Sequence, residues 1–189
     1  IYSDKRIIHD GVIPEEFVYS SSGYLPQVNG VTPPAGIYAH IAGEDLVQDN
    51  DGRWWVLEDN LRIPSGASYP LFVRDIERHA DPRFFRDHSI RDNRDYPRLL
   101  RKTMDFVSTQ GVAVILSPGR LNSAFFEHAY LAEKTGATLA FPEDLEVVNN
   151  KVYLRDYAGN PHRVGVIYRR LSDEYLDPFA FNPQSVIGV

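Results

Sequence analysis

The chain has 189 residues, enough to bury one sizeable core or two small ones, and its 43% apolar and 24% charged residues are those of a folded protein. A net charge of -6, with Lys and Arg interspersed among the acids, excludes a non-specific nucleic-acid binder, which needs a basic face. The lack of Cys excludes disulfides and thiolate metal sites and fits a reducing compartment, the cytoplasm; no apolar run has the length of a membrane span.

Ile1 to Arg6 hold neither an initiating Met nor a signal-peptide core, and Ser185 to Val189 stop without a terminal helix, so a fragment of a longer protein is expected. Gly11 to Gly36 is punctuated by Pro14, Pro26, Pro33 and Pro34 and reads as turns and short strands. Between Ile37 and Asn60, two runs of β-branched and aromatic residues flank Asn50-Asp51-Gly52, a strong hairpin signal. Arg62 to Ser68 reads as a polar loop, and the charge-dense Leu71 to Arg94 as helix or loop.

Asp95 and Pro97 mark a helix start, with the acid as cap, and Leu99, Leu100, Met104 and Val107 supply the apolar stripe up to Gly111. Val112 to Leu116 is a buried strand, Ser117 to Ser123 a loop, Ala124 to Thr135 a helix capped by Gly136, and Ala137 to Phe141 a second strand. That order makes a βαβ unit with a parallel sheet. Leu145 to Arg155 reads as a hairpin around Asn149-Asn150, and Arg163 to Tyr168 as another buried strand. The fold class is therefore α/β (mixed α+β), dividing near residue 95 into a β-rich part, 1-94, and an α/β part, 95-189.

With Asp51 and Gly52 as a two-residue turn, positions summing to 103 face one another: Asn50 and Arg53, Asp49 and Trp54, Val47 and Val56, Asp45 and Glu58. Opposed carboxylates repel unless a positive group sits between them, and a divalent cation suits that position. Strand alternation then puts Asn60 and Arg62 on the face of Glu58, joining hard oxygen ligands for magnesium to a guanidinium for phosphate. A solvated acidic hairpin is the bland alternative. An EF-hand loop counted from Val47 matches at Asp49, Asp51, Gly52 and Glu58, but it starts on Val and has no flanking helix pair.

Residues 43 to 66, G-E-D-L-V-Q-D-N-D-G-R-W-W-V-L-E-D-N-L-R-I-P-S-G, resemble the ATP-grasp superfamily, whose metal hairpin has Asp on one strand and Glu-x-Asn on the next. The resemblance implies that Asp45, Glu58 and Asn60 hold Mg2+ bridging ATP phosphates. It also implies that Arg62, with Ser65 and Gly66, contacts the phosphates and that Arg62 and Glu58 act catalytically. The wider chain is similar to circularly permuted ATP-grasp proteins of the glutathionylspermidine synthase-like group. The matching segments are D-G-V-I-P-E-E at 10 to 16, S-G-Y-L-P-Q-V at 22 to 28, H-I-A-G-E-D-L at 40 to 46 and V-I-Y-R-R-L-S-D-E-Y-L-D-P at 166 to 178. This implies a β-rich ATP-grasp part with the metal hairpin, followed by a Rossmann-like pre-ATP-grasp domain. After Leu71 the family's Glu-Asn-Arg is replaced by Phe72-Val73-Arg74, so residues 71 to 94 are divergent or joined across an omission, and the adenine clamp is expected beyond Val189.

Other segments carry less. Ser117 to Ser123 joins a strand to a helix where an anion could sit, although an ordinary turn capped by Asn122 or Ser123 is the simpler reading. Arg169 and Arg170 end a strand; alternation buries one and exposes the other, with pairing to Asp173 or Glu174 expected. Glu127 and His128 read as packing or helix-surface residues. The six histidines form no metal spacing, and no Ser stands in a nucleophile motif. The expected function is an ATP-dependent carboxylate-amine ligase taking ATP and small carboxylate and amine substrates, with a non-catalytic nucleotide- or metal-binding module as the alternative.

Overall fold

A computed structural model describes residues 1–189, which gather into two compact units, Ile1–Tyr38 and Ala39–Val189. The first holds two short helices, α1 (Arg6–His9) and α2 (Glu15–Tyr19), and 3-10 turns at Pro26–Val28 and Pro34–Gly36. No strand forms there, contrary to expectation. Pro26 and Pro34 each open a turn, where their missing N–H costs nothing, whereas a ladder would lose a hydrogen bond. Tyr24 stacks on Tyr2 and meets Tyr19 edge-on, at centroid distances of 5.3 and 5.1 Å.

The second unit opens with the hairpin of β1 (Gly43–Gln48) and β2 (Trp54–Asn60). Helices α3 (Ser68–Ala80), α4 (Pro82–Asp87) and α5 (Tyr96–Val107) follow. Then come β3 (Val112–Leu116), α6 (Phe125–Thr135), β4 (Thr138–Ala140), β5 (Leu145–Val148), β6 (Lys151–Arg155), β7 (Pro161–Arg169) and α7 (Asp173–Leu176). The larger sheet has the order β4-β3-β7-β6-β5, with β3 parallel to both neighbours and β5, β6 and β7 antiparallel. The mixed α/β class and the parallel pairing across the β3-α6-β4 crossover agree with the expected pattern.

β3 lies inside the sheet, between β4 and β7, and is apolar on both faces. Ile115 packs with Leu100, Met104, Leu131 and Ala132 from α5 and α6, while Val114 joins Ala140, Leu154 and Val164 on the other side. Gly136 closes α6 as expected. Asn149 and Asn150, at φ of 50° and 58°, make the two-residue turn between β5 and β6, the backbone form that matches strand twist. Asp95, expected to cap α5, spends both carboxylate oxygens on Arg98, and its side chain accepts no backbone N–H of the helix. The compact units part at residue 38 rather than at the expected 94/95, because contacts cross that point: Tyr69 and Phe72 of α3 pack on Phe126 of α6.

Candidate functional site

Asp49 builds the turn of the first hairpin. Its Oδ1 accepts the N–H groups of Asp51 and Arg53 at 3.0 and 2.9 Å, and its Oδ2 accepts from Trp55 Nε1 at 2.8 Å. These donors, Trp55 foremost, hold the Asp49 pKa below the usual carboxylate range. Asp49 N–H donates to the Arg53 carbonyl at 2.9 Å and Gly52 N–H to the Asp49 carbonyl at 3.0 Å. The loop therefore has three residues, Asn50, Asp51 and Gly52, with Gly52 at φ 78° supplying the left-handed position.

This corrects the expected two-residue turn and its pairings near the tip: Val47 faces Trp55 and Leu46 faces Val56. A bulge at Leu57 then shifts the register by one, and Asp45 faces Glu58 as expected, with Gly43 opposite Asn60. The bulge has a chemical result. It transfers Glu58 and Asn60 to the side of Val47 and Trp55, the side that carries Asp45.

Asn60 Nδ2 donates to Asp45 Oδ1 at 3.2 Å and to Glu58 Oε1 at 3.4 Å, so two carboxylates converge on one weak donor. Rotating the amide by about 180° puts its oxygen where its nitrogen stands, giving three hard oxygen donors around one point. That donor set fits a magnesium ion that also keeps waters and phosphate oxygens. No three His, Cys, Asp or Glu side chains gather as a metal cluster anywhere in the chain.

The matching profile, described as a circularly permuted ATP-grasp, covers residues 1–189. The chain belongs to the circularly permuted ATP-grasp family. It is 42% identical to an uncharacterised protein of Synechocystis over all of its length, covering 40% of that protein. It is also 42% identical to an uncharacterised protein of Mycobacterium tuberculosis, covering 35% of it. A putative glutamate–cysteine ligase of Frankia casuarinae is 35% identical over 93% of the chain, which covers 21% of that protein. The chain thus spans well under half the length of these curated relatives.

In this ATP-grasp chain a cleft of about 640 Å³ lies beside the hairpin, lined by Asp45, Asn60, Arg62 and Ser65, with Glu44, Asp59 and Ser172 among its other walls. Glu44 and Asp59 oppose each other one rung from Asp45 and Glu58, a second acid pair that sequence reading passed over. Arg62 departs from its expected place. β2 ends at Asn60, so alternation no longer governs Arg62, and its guanidinium turns to Asp173, at 2.9 Å, and Glu174. Arg169 pairs with the same Asp173, as expected.

Arg170 does not pair with either acid. It is buried, and Nη2 donates to Glu127 Oε1 at 2.9 Å, while Nη1 donates to the Pro64 carbonyl at 2.8 Å and the Tyr168 hydroxyl at 3.0 Å. Glu127 Oε2 accepts the N–H groups of Gly66 and Ser68 at 2.7 and 3.1 Å and the Ser68 hydroxyl at 2.9 Å. A carboxylate from α6 thereby caps α3, whose own N-cap residue, Ala67, offers no side-chain oxygen. Of the Arg170 guanidinium nitrogens, Nε is left without a partner. His128, also buried, shares a 2.8 Å hydrogen bond with Ser117 Oγ. The loop after β3 is organised by Asn122, whose Oδ1 accepts from Ala124 N–H at 2.9 Å, and no helix of the chain is long and apolar enough to cross a membrane.

Proposed function

We propose that the full-length protein is an ATP-dependent carboxylate-amine ligase to which this chain contributes the magnesium-phosphate half of the site. The carrying observation is the convergence of Asp45, Glu58 and Asn60 on one point beside the cleft, in a chain of the ATP-grasp family. The Frankia relative's name, a putative ligase, supports the same reading.

Magnesium supplies charge neutralisation for the phosphate oxygens. Asp45, Glu58 and, with its amide turned, the Asn60 oxygen would hold the ion. Arg62, on the cleft wall, exchanges Asp173 and Glu174 for a phosphate, which its planar fork also matches. Ser65 lines the cleft and offers a hydroxyl to the phosphates, and Gly66 next to it gives the loop its left-handed turn at φ 106°. In the reaction a carboxylate oxygen attacks the terminal phosphorus, ADP leaves, and an amine then displaces inorganic phosphate from the acyl phosphate.

The assay is ADP release by the full-length protein with pooled amino acids and polyamines, in wild type and Glu58→Gln. Turnover in wild type, lost in a folded Glu58→Gln variant, is the expected result. Equal turnover in both removes the assignment, and Mg-ATP binding without turnover in any pool favours a non-catalytic nucleotide-binding module.

A further inference from the structure

Three backbone groups of the segment that follows β2 end on one buried ion pair: the Pro64 carbonyl on Arg170, and the Gly66 and Ser68 N–H groups on Glu127. Both side chains are almost wholly shielded, at 2% and 1% relative exposure, so these bonds form where competing water is absent. Arg62 and Ser65 are carried on this segment and line the cleft. Until Arg62 turns to phosphate, its near end is also held by the Asp173 carboxylate, which bridges Arg62 and Arg169.

We infer that Glu127 and Arg170 are positioning residues for the phosphate-facing loop, acting from α6 and the end of β7 through the backbone of residues 64, 66 and 68. This rests on the reading of that loop as a phosphate contact. Neither residue lines the cleft. Their effect follows from geometry: a loop whose own side chains make few internal bonds takes its shape from an external template, and the template here has a fixed fork and a fixed carboxylate. A buried pair is a poor source of net stability compared with apolar packing, so its place under a cleft loop fits specification of conformation.

The test measures Mg-ATP affinity by calorimetry in the full-length protein for wild type, Glu127→Gln, Arg170→Lys and Met104→Ala, with the unfolding midpoint of each and amide exchange at Gly66 and Ser68. Met104 is buried against α6 and the sheet and touches no loop residue in the template, so it reports loss of stability alone. The expected result is Mg-ATP binding weakened at least tenfold in Glu127→Gln and Arg170→Lys, faster exchange at Gly66 and Ser68, and unchanged affinity in Met104→Ala despite its lowered midpoint. Either pair variant binding Mg-ATP like wild type overturns the inference, as does wild type that binds no Mg-ATP. Wild type that binds Mg-ATP but releases no ADP overturns the ligase reading and leaves this one standing on the affinity data.

Discussion

Arg170 Nη2 lies 2.9 Å from Glu127 Oε1, in a contact that joins the end of β7 to the first turn of α6 and excludes water from both side chains. Arg170→Met strands the Glu127 carboxylate in a dry site and is expected to cost on the order of 3 to 5 kcal/mol. Replacing both residues by Met does not restore stability, because the N–H groups of Gly66 and Ser68 then lose their acceptor and the Pro64 carbonyl its donor. Urea unfolding at pH 7 of the two variants checks this, and a double variant as stable as wild type refutes it.

His128 gives the chain an acid-sensitive point. Burial first, and then the neighbouring Arg170 charge, hold its imidazole pKa down to about 4, while Glu127 pulls weakly the other way. In the unfolded chain it titrates near 6.5, so as pH falls from about 6.5 to about 4 the unfolded state takes up a proton that the native state refuses. Stability is complete above the upper value and declines toward the lower, by on the order of 3 kcal/mol from this group. His128→Gln should shrink the wild-type difference in unfolding free energy between pH 7 and pH 4 by about that amount.

Trp55 shares a strand face with Asp45, Glu58 and Asn60, and the chain has only one other tryptophan, Trp54. Magnesium binding at the acid pair should therefore alter tryptophan fluorescence and raise the melting temperature. In Glu58→Gln and Asp45→Asn both responses should vanish, while the metal-free melting temperature holds or rises because the facing like charges are gone. A magnesium titration of wild type and variants decides it; an unchanged response in Glu58→Gln contradicts the site.

Gly111 has φ 148°, and a Cβ there would stand 2.3 Å from the Arg163 carbonyl oxygen and 2.6 Å from the Gly165 nitrogen. Both obstacles are backbone of β7, at the point where β3 enters the sheet through an irregular register. Gly111→Ala should destabilise by on the order of 3 kcal/mol or more, read as a lowered thermal midpoint.

Much of the larger sheet was legible because its signals are local. The apolar run of β3, Gly136 after α6 and the Asn149-Asn150 turn each encode their own conformation within a few residues. The pairing of Asp45 with Glu58 was also foreseen, though through two compensating deviations: the turn has one more residue than expected, and the Leu57 bulge restores the register. Spacing alone does not reveal such a bulge, because its cause is the fit of the strands. Arg62 shows a different limit, since alternation stops being informative where the strand stops. Glu127 was invisible as a cap because its partners lie about sixty positions away, at Gly66 and Ser68, and no local rule connects them. An acid in the first turn of an otherwise apolar helix, with an arginine at the end of a buried strand, was the available signal.

An acyl phosphate intermediate carries an oxygen of the carboxylate into the phosphate that is released, so oxygen transfer reports on it. The full-length protein is incubated with Mg-ATP, pooled amines and carboxylates labelled with 18O, and the inorganic phosphate released is analysed by mass spectrometry. One labelled oxygen is expected to move from carboxylate to phosphate in each turnover, and Glu58→Gln is expected to release no labelled phosphate. Phosphate released without label contradicts that intermediate.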